Sequence, residues 1–166
     1  MYNNQLIDKT SVEIIGILQD NARTPNAEIA RRVGLTTSAV QDRIKKMEAR
    51  GILRGFTALV EPSALGLTLT AFIGVRISPH NLAPLVGPAL AATPGVEEVF
   101  RLAGEECFLV KVRCQHTAGL ETVLERIISI DGVVATRTTI ALGAVAEASG
   151  AIIKSHPTPT EEGERT

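Results

Sequence analysis

Between Thr36 and Arg54 the chain carries five basic side chains (Arg43, Lys45, Lys46, Arg50 and Arg54) against two acidic ones, Asp42 and Glu48. Just ahead of them, Thr36, Thr37 and Ser38 put hydroxyls at the start of what reads as a helix, and Gln41 follows one turn later. Hydroxyls and free backbone N–H groups at a helix start suit a phosphate, and a Gln amide suits an adenine edge. Arg43, Lys45 and Lys46 suit backbone phosphates rather than bases. This is the chemistry of reading duplex DNA. The same caps and charges also decorate an ordinary solvated helix, so the surrounding elements must decide.

A second group is Gly104-Glu105-Glu106. Two adjacent carboxylates could hold the amino group of a small ligand, with Thr136 and Thr138 bonding its other end. The segment also reads as a plain hairpin turn, and residue types alone leave both readings open. No activated nucleophile and no oriented base is visible, so nothing here points to an enzyme or a cofactor. His80, His116 and His156 share no ligand spacing, and a metal site is not expected. Cys107 and Cys114 lie seven apart, which puts them on opposite sides of a regular strand and suggests neither a disulfide scaffold nor a zinc site.

The first group needs a brace. Val12, Ile14, Ile15 and Leu18 fall at helical spacing. Asn21 and Arg23 end that run. Thr24-Pro25 reads as an N-cap followed by proline at the first helical position. The next helix turns Ile29, Ala30 and Val33 inward, with Ala27 and Ala30 allowing close approach, and Gly34 is its left-handed C-cap. Thr36 caps a third helix, in which Val40, Ile44 and Met47 point one way and Gly51 closes the run. Thr37, Ser38, Gln41, Asp42 and Lys45 are left on or near the other side. Two helices joined by Gly-Leu-Thr-Thr form a helix-turn-helix pattern.

The second group needs a sheet. Shifted by about 37 positions, Phe72–Arg76 aligns with Leu109–Arg113, and Pro94-Gly95-Val96 aligns with Asp131-Gly132-Val133. Each copy reads strand, helix, Gly-Val turn, strand, with helices expected over Asn81–Ala92 and Thr117–Ile130. The result is a ferredoxin-like β-α-β-β-α-β domain with helices on one face. Its other face carries apolar positions and invites a second subunit. The expected α+β chain thus has a helix-turn-helix domain over 4–54, a linking strand over 55–66, the ferredoxin-like domain over 67–153 and a disordered polar tail over 154–166.

Composition agrees. Of 166 residues 45 % are hydrophobic, enough for real cores. Four Phe, one Tyr and no Trp argue against a stacking platform for single strands. The net charge of −1 hides an asymmetry: residues 1–54 hold nine Lys/Arg against six Asp/Glu, and residues 55–166 hold eight against twelve. A basic head on an acidic body fits a DNA-reading module with a separate second domain. With no signal-like or membrane-length apolar run, a soluble cytoplasmic protein is expected.

The stretch NAEIARRVGLTTSAVQDRIKKMEARGIL, followed by RGFTALVEPSALG, PGVEEVFRLAGEECFLVKVR and DGVVATRTTIAL, closely resembles the Lrp/AsnC family, the feast/famine regulators, over roughly residues 4–153. The resemblance implies a transcriptional regulator of amino-acid metabolism that binds pseudo-palindromic sites in double-stranded DNA. It also implies homodimers formed through the sheets, assembly to tetramers or octamers, and a small amino-acid effector. Thr36 stands where the family has its cap serine, and Arg43, Ile44, Met47, Glu48, Gly51 and Ile52 follow the family pattern. Thr37 replaces a usual proline. Thr136-Arg137-Thr138 matches a last-strand motif that lines the effector pocket in the family. Its partner loop departs from the pattern Gly-Asp-aromatic-Asp: Gly104 and Phe108 are kept, Glu105 keeps the acid, Glu106 replaces the aromatic and Cys107 the second acid. Two alternatives remain. One is an enzyme of the same architecture, similar to the sirohaem decarboxylases, which would be expected to lose the basic third helix. The other is a ligand-sensing oligomer without DNA contact.

Overall fold

The chain opens on three helices, α1 (Lys9–Asp20), α2 (Asn26–Val33) and α3 (Thr37–Ala49), in a computed structural model that describes residues 7–147. The tail expected over 154–166 lies outside the described residues. The Asp8 carboxylate caps α1 by accepting from the Ser11 N–H at 2.7 Å. Gly34 (φ 69°) and Gly51 (φ 68°) end α2 and α3 in the same way. At each, the left-handed glycine turns the next N–H back, Leu35 to the Ala30 carbonyl and Ile52 to that of Met47. The three helices enclose Ile14, Leu18, Ile29, Ala30, Val40 and Met47.

Three local expectations change. The cap of α2 is Pro25, not Thr24, because the Thr24 hydroxyl donates instead to the Asn21 carbonyl at 2.8 Å. Ala27 is exposed, so Ala30 alone supplies the small contact. The linking strand over 55–66 forms no ladder among the described residues. A strand needs a neighbour, and the described residues offer none there; Phe56, Leu59 and Val60 are exposed and Pro62–Leu65 forms a 3-10 turn.

The second unit, Leu59–Ala146, holds the sheet. Its elements are β1 (Leu69–Ile77), α4 (Ala83–Ala91), β2 (Val96–Arg101), β3 (Phe108–Cys114), α5 (Thr117–Ile128) and β4 (Val133–Ala141). The strands lie in the order β2-β3-β1-β4, all pairs antiparallel. Ala71, Ile73, Val75 and Ile77 of β1 and Val110 and Val112 of β3 pack under Val86 and Leu90 of α4 and Leu120, Val123 and Ile127 of α5. Gly95 and Gly132, the matched turns of the repeat, share the same φ of 92°.

Cys107 precedes β3 rather than lying in it. It therefore escapes the strand alternation and joins the same core as Cys114. Burial raises the Cys114 thiol pKa above its usual value.

Candidate DNA-reading and effector sites

The residues expected to read DNA divide into two sets on α3. Thr37, Ser38, Gln41, Asp42 and Lys45 are all exposed and recur along one arc of a helix with about 3.6 residues per turn. The Thr36 hydroxyl accepts from the Ala39 N–H at 3.2 Å and lies 3.1 Å from the Ser38 hydroxyl. Thr36 therefore fixes the helix start, leaving its own hydroxyl partly engaged.

Arg43 and Lys46 lie on the flank nearer α1, where with Arg50, Asp8 and Ser11 they border a cleft of about 400 Å³. Arg43 donates to Asp8 Oδ2 at 2.6 Å and to the Ser11 hydroxyl at 3.2 Å. A phosphate contact was the sequence expectation for Arg43. The geometry gives it another task, tying the recognition helix to the start of α1. The partner lies 35 positions away, which local spacing cannot reveal.

The Arg43 hydrogen bond, followed by those from Ser11, lowers the Asp8 pKa from 3.8 to about 2. A carboxylate depressed on folding adds stability above its unfolded pKa and loses it as pH falls through the folded value. Acid titration from pH 4 to pH 2 is expected to destabilise the helical unit progressively, and Asp8→Asn should remove that part of the pH dependence. Equal acid slopes in parent and variant, followed by circular dichroism, would refute the assignment.

On the sheet, the face opposite the helices carries Thr70, Phe72, Gly74 and Arg76 of β1. Leu109 and Phe100 continue the row through Gly74, and Lys111 and Glu98 the row through Phe72. A register shift between Val96 and Glu98 lets both Glu97 and Glu98 reach Lys111, at 3.4 and 3.2 Å, while Glu97 also meets Arg113 at 2.7 Å.

The carboxylate loop closes between β2 and β3 through the Leu102 N–H, which donates to the Cys107 carbonyl at 2.9 Å. Gly104 is exposed at its tip, and Glu105 meets Arg76 at 3.2 Å. Glu106 pairs with Arg137. Cys107 points away from these acids into the core, with its Sγ 3.4 Å from His80 Nδ1. Gly74, Arg76, Glu105, Glu106, Ala135, Thr136 and Arg137 line a cavity of about 230 Å³.

The two threonines share one side of β4. Register pairs Thr136 with Val75 and Thr138 with Ile73, both core-facing residues, whereas Arg137 pairs with Gly74 on the open face. Thr136 still borders the cavity; Thr138 does not. The cause is a bulge: Val133 pairs with Ile77 and Ala135 with Arg76, leaving Val134 unmatched and reversing the parity of everything after it. Arg76 and Arg137 are the groups that meet the two acids, a pairing the sequence reading did not anticipate. Among the described residues no cluster of three metal-ligating side chains occurs, and no helix is long and apolar enough to cross a membrane.

Comparison with known proteins matches residues 7–48 to the AsnC-type helix-turn-helix domain and residues 70–150 to the Lrp/AsnC ligand binding domain. The chain is similar to the HTH-type transcriptional regulator FL11 of Pyrococcus horikoshii, 35 % identical over 82 % of this chain and 89 % of that one. Among solved structures it is similar to AsnC of E. coli, with a TM-score of 0.80, 30 % identity and coverage of 87 % and 97 % of the two chains. It is also similar to a transcriptional regulator of Neisseria meningitidis solved as an L-Met complex, with a TM-score of 0.77, 30 % identity and coverage of 86 % and 94 %. A basic recognition helix braced by two others, a ferredoxin-like unit with an acid-lined cavity, and these matches lead to one assignment: the chain is a member of the Lrp/AsnC family of helix-turn-helix transcriptional regulators.

Proposed function

We propose that this protein binds promoter DNA in the cytoplasm as a homodimer or a larger assembly and adjusts transcription when a small amino-acid-like effector binds. The observation that carries the DNA-reading part is the single exposed arc of Thr37, Ser38, Gln41 and Lys45 on a helix whose opposite side is buried. The first-turn N–H groups and hydroxyls take a phosphate, Gln41 reads a base edge, and Lys45 holds a further phosphate. Asp42 borders this arc and Lys46 supports it from the flank.

Dimer formation is supported by the half-exposed Phe72 and Phe100 on the open sheet face and by the unpaired, apolar segment before β1. Tetramers or octamers follow if dimers associate further. The effector reading is supported by the cavity between Glu105, Glu106, Arg76 and Arg137, with Gly104 and Cys107 shaping the loop and Thr136 at its edge. An effector changes DNA occupancy only as far as it favours one assembly state over another. The relatives reported above are named as regulators, and the basic, capped third helix that the enzyme reading would lack is present.

The test is a gel shift of the full-length protein on DNA from its own upstream region, over a salt series. Binding that weakens steeply with salt is expected. No duplex binding at any salt concentration would sink the proposal.

A further inference from the structure

At the effector cavity, Glu106 differs from its charged neighbours in being held by packing. Its carboxyl carbon lies 2.9 Å from where a Cβ on residue 74 would stand, so Gly74 leaves the room in which the side chain crosses β1. One residue on, the Cys107 N–H donates to the Val75 carbonyl at 2.8 Å and pins the backbone to the same strand. The Glu106 side chain is 28 % exposed, and that of its partner Arg137 is 77 % exposed. In this ion pair the acid is seated and the base is loose.

We infer that Glu106 determines specificity, making the cavity selective for an organic cation whose guanidinium or ammonium group takes the place of Arg137 on Glu106 Oε1. The inference rests on the effector-binding reading above. An exposed arginine is easily displaced, since a solvated ion pair holds it weakly. Arg76 and the displaced Arg137 then stand at the rim to meet a ligand carboxylate, and Glu105 offers a second acid. An anionic ligand would instead have to lift Glu106 off β1. A neutral apolar side chain would have to desolvate both ion pairs without replacing either.

The experiment is calorimetric titration of the full-length protein with L-arginine, L-methionine and succinate. It is run on the parent, Glu106→Gln and Gly74→Ala, with gel shifts on the same preparations. L-Arginine is expected to bind the parent about tenfold or more tighter than L-methionine, and Glu106→Gln to lose about tenfold for L-arginine alone. Gly74→Ala displaces Glu106 without removing its charge and should lose the same preference. Any of three results overturns the inference: methionine or succinate binding the parent as tightly as arginine, arginine affinity unmoved by Glu106→Gln, or no binding of any ligand. Duplex binding retained alongside such a result leaves the regulator reading intact. Loss of duplex binding in the parent is the failure of that reading instead.

Discussion

Gly132→Ala is expected to cost the sheet unit about 2–4 kcal/mol and to lower its melting temperature by several degrees. Two penalties combine. At φ 92° the backbone is outside the regions an L side chain adopts freely. A Cβ there would also lie 2.6 Å from Leu82 Cδ1, and Leu82 is packed against the core, so it cannot simply swing away. Gly95→Ala should fall in the same direction, because φ is again 92° and the new Cβ would stand 2.9 Å from Cγ2 of buried, β-branched Val123. Gly143→Ala is the control, with nothing within 4 Å and no positive φ. Denaturant unfolding of the three variants decides. A loss at Gly132 no larger than the Gly143 control would show that the turn relaxes and that the cross-packing is not tight.

Lys45→Ala is expected to weaken binding to every duplex, specific or not, by about tenfold at low salt, and to reduce the slope of log affinity against log salt by about one per reading helix. The reasoning is positional: Lys45 shares the exposed arc with Gln41, and phosphate contacts hold the protein in register without discriminating sequence. Gln41→Ala should do the converse. It leaves the salt slope alone and changes base preference by about 1–3 kcal/mol. Arg43→Ala separates a third role. If it ties α3 to Asp8, affinity and stability fall together while the salt slope holds. Measuring all three over one salt series distinguishes them. An unchanged slope in Lys45→Ala, or a slope reduced in Arg43→Ala, would exchange the roles assigned to these residues.

Much of this architecture was legible because it is local. Helix periodicity exposed Val40, Ile44 and Met47, and Gly34 and Gly51 stand where the chain turns left-handed. The repeat announced the sheet through Gly-Val pairs at matching offsets. What escaped was non-local. Whether Thr24 caps or is itself taken depends on the Asn21 carbonyl. Arg43 finds Asp8 only after three helices close. Thr136 and Thr138 register with core-facing residues of β1 because one unmatched residue, Val134, shifts the parity of β4, and a bulge leaves no mark in alternation read from one strand. The acids of the loop were visible. Their pairing with Arg76 and Arg137 was not, since the register of β4 on β1 decides which side chains share a face.

The strand order β2-β3-β1-β4 also governs how the protein emerges from the ribosome. The three helices meet through neighbouring segments and can close soon after Leu53 is made. The first strand of the sheet unit cannot. Both neighbours of β1 come later in the chain, β3 from Phe108 and β4 from Val133, and β2, made before either, is an edge strand waiting for β3. From Leu69 until the last strand appears, a run of apolar residues therefore lacks its full set of hydrogen-bonding neighbours, the situation in which slow, non-local pairing exposes nascent chains to aggregation. The helical unit is complete early, and the unit that carries the acid-lined cavity is complete only once β4 has been made.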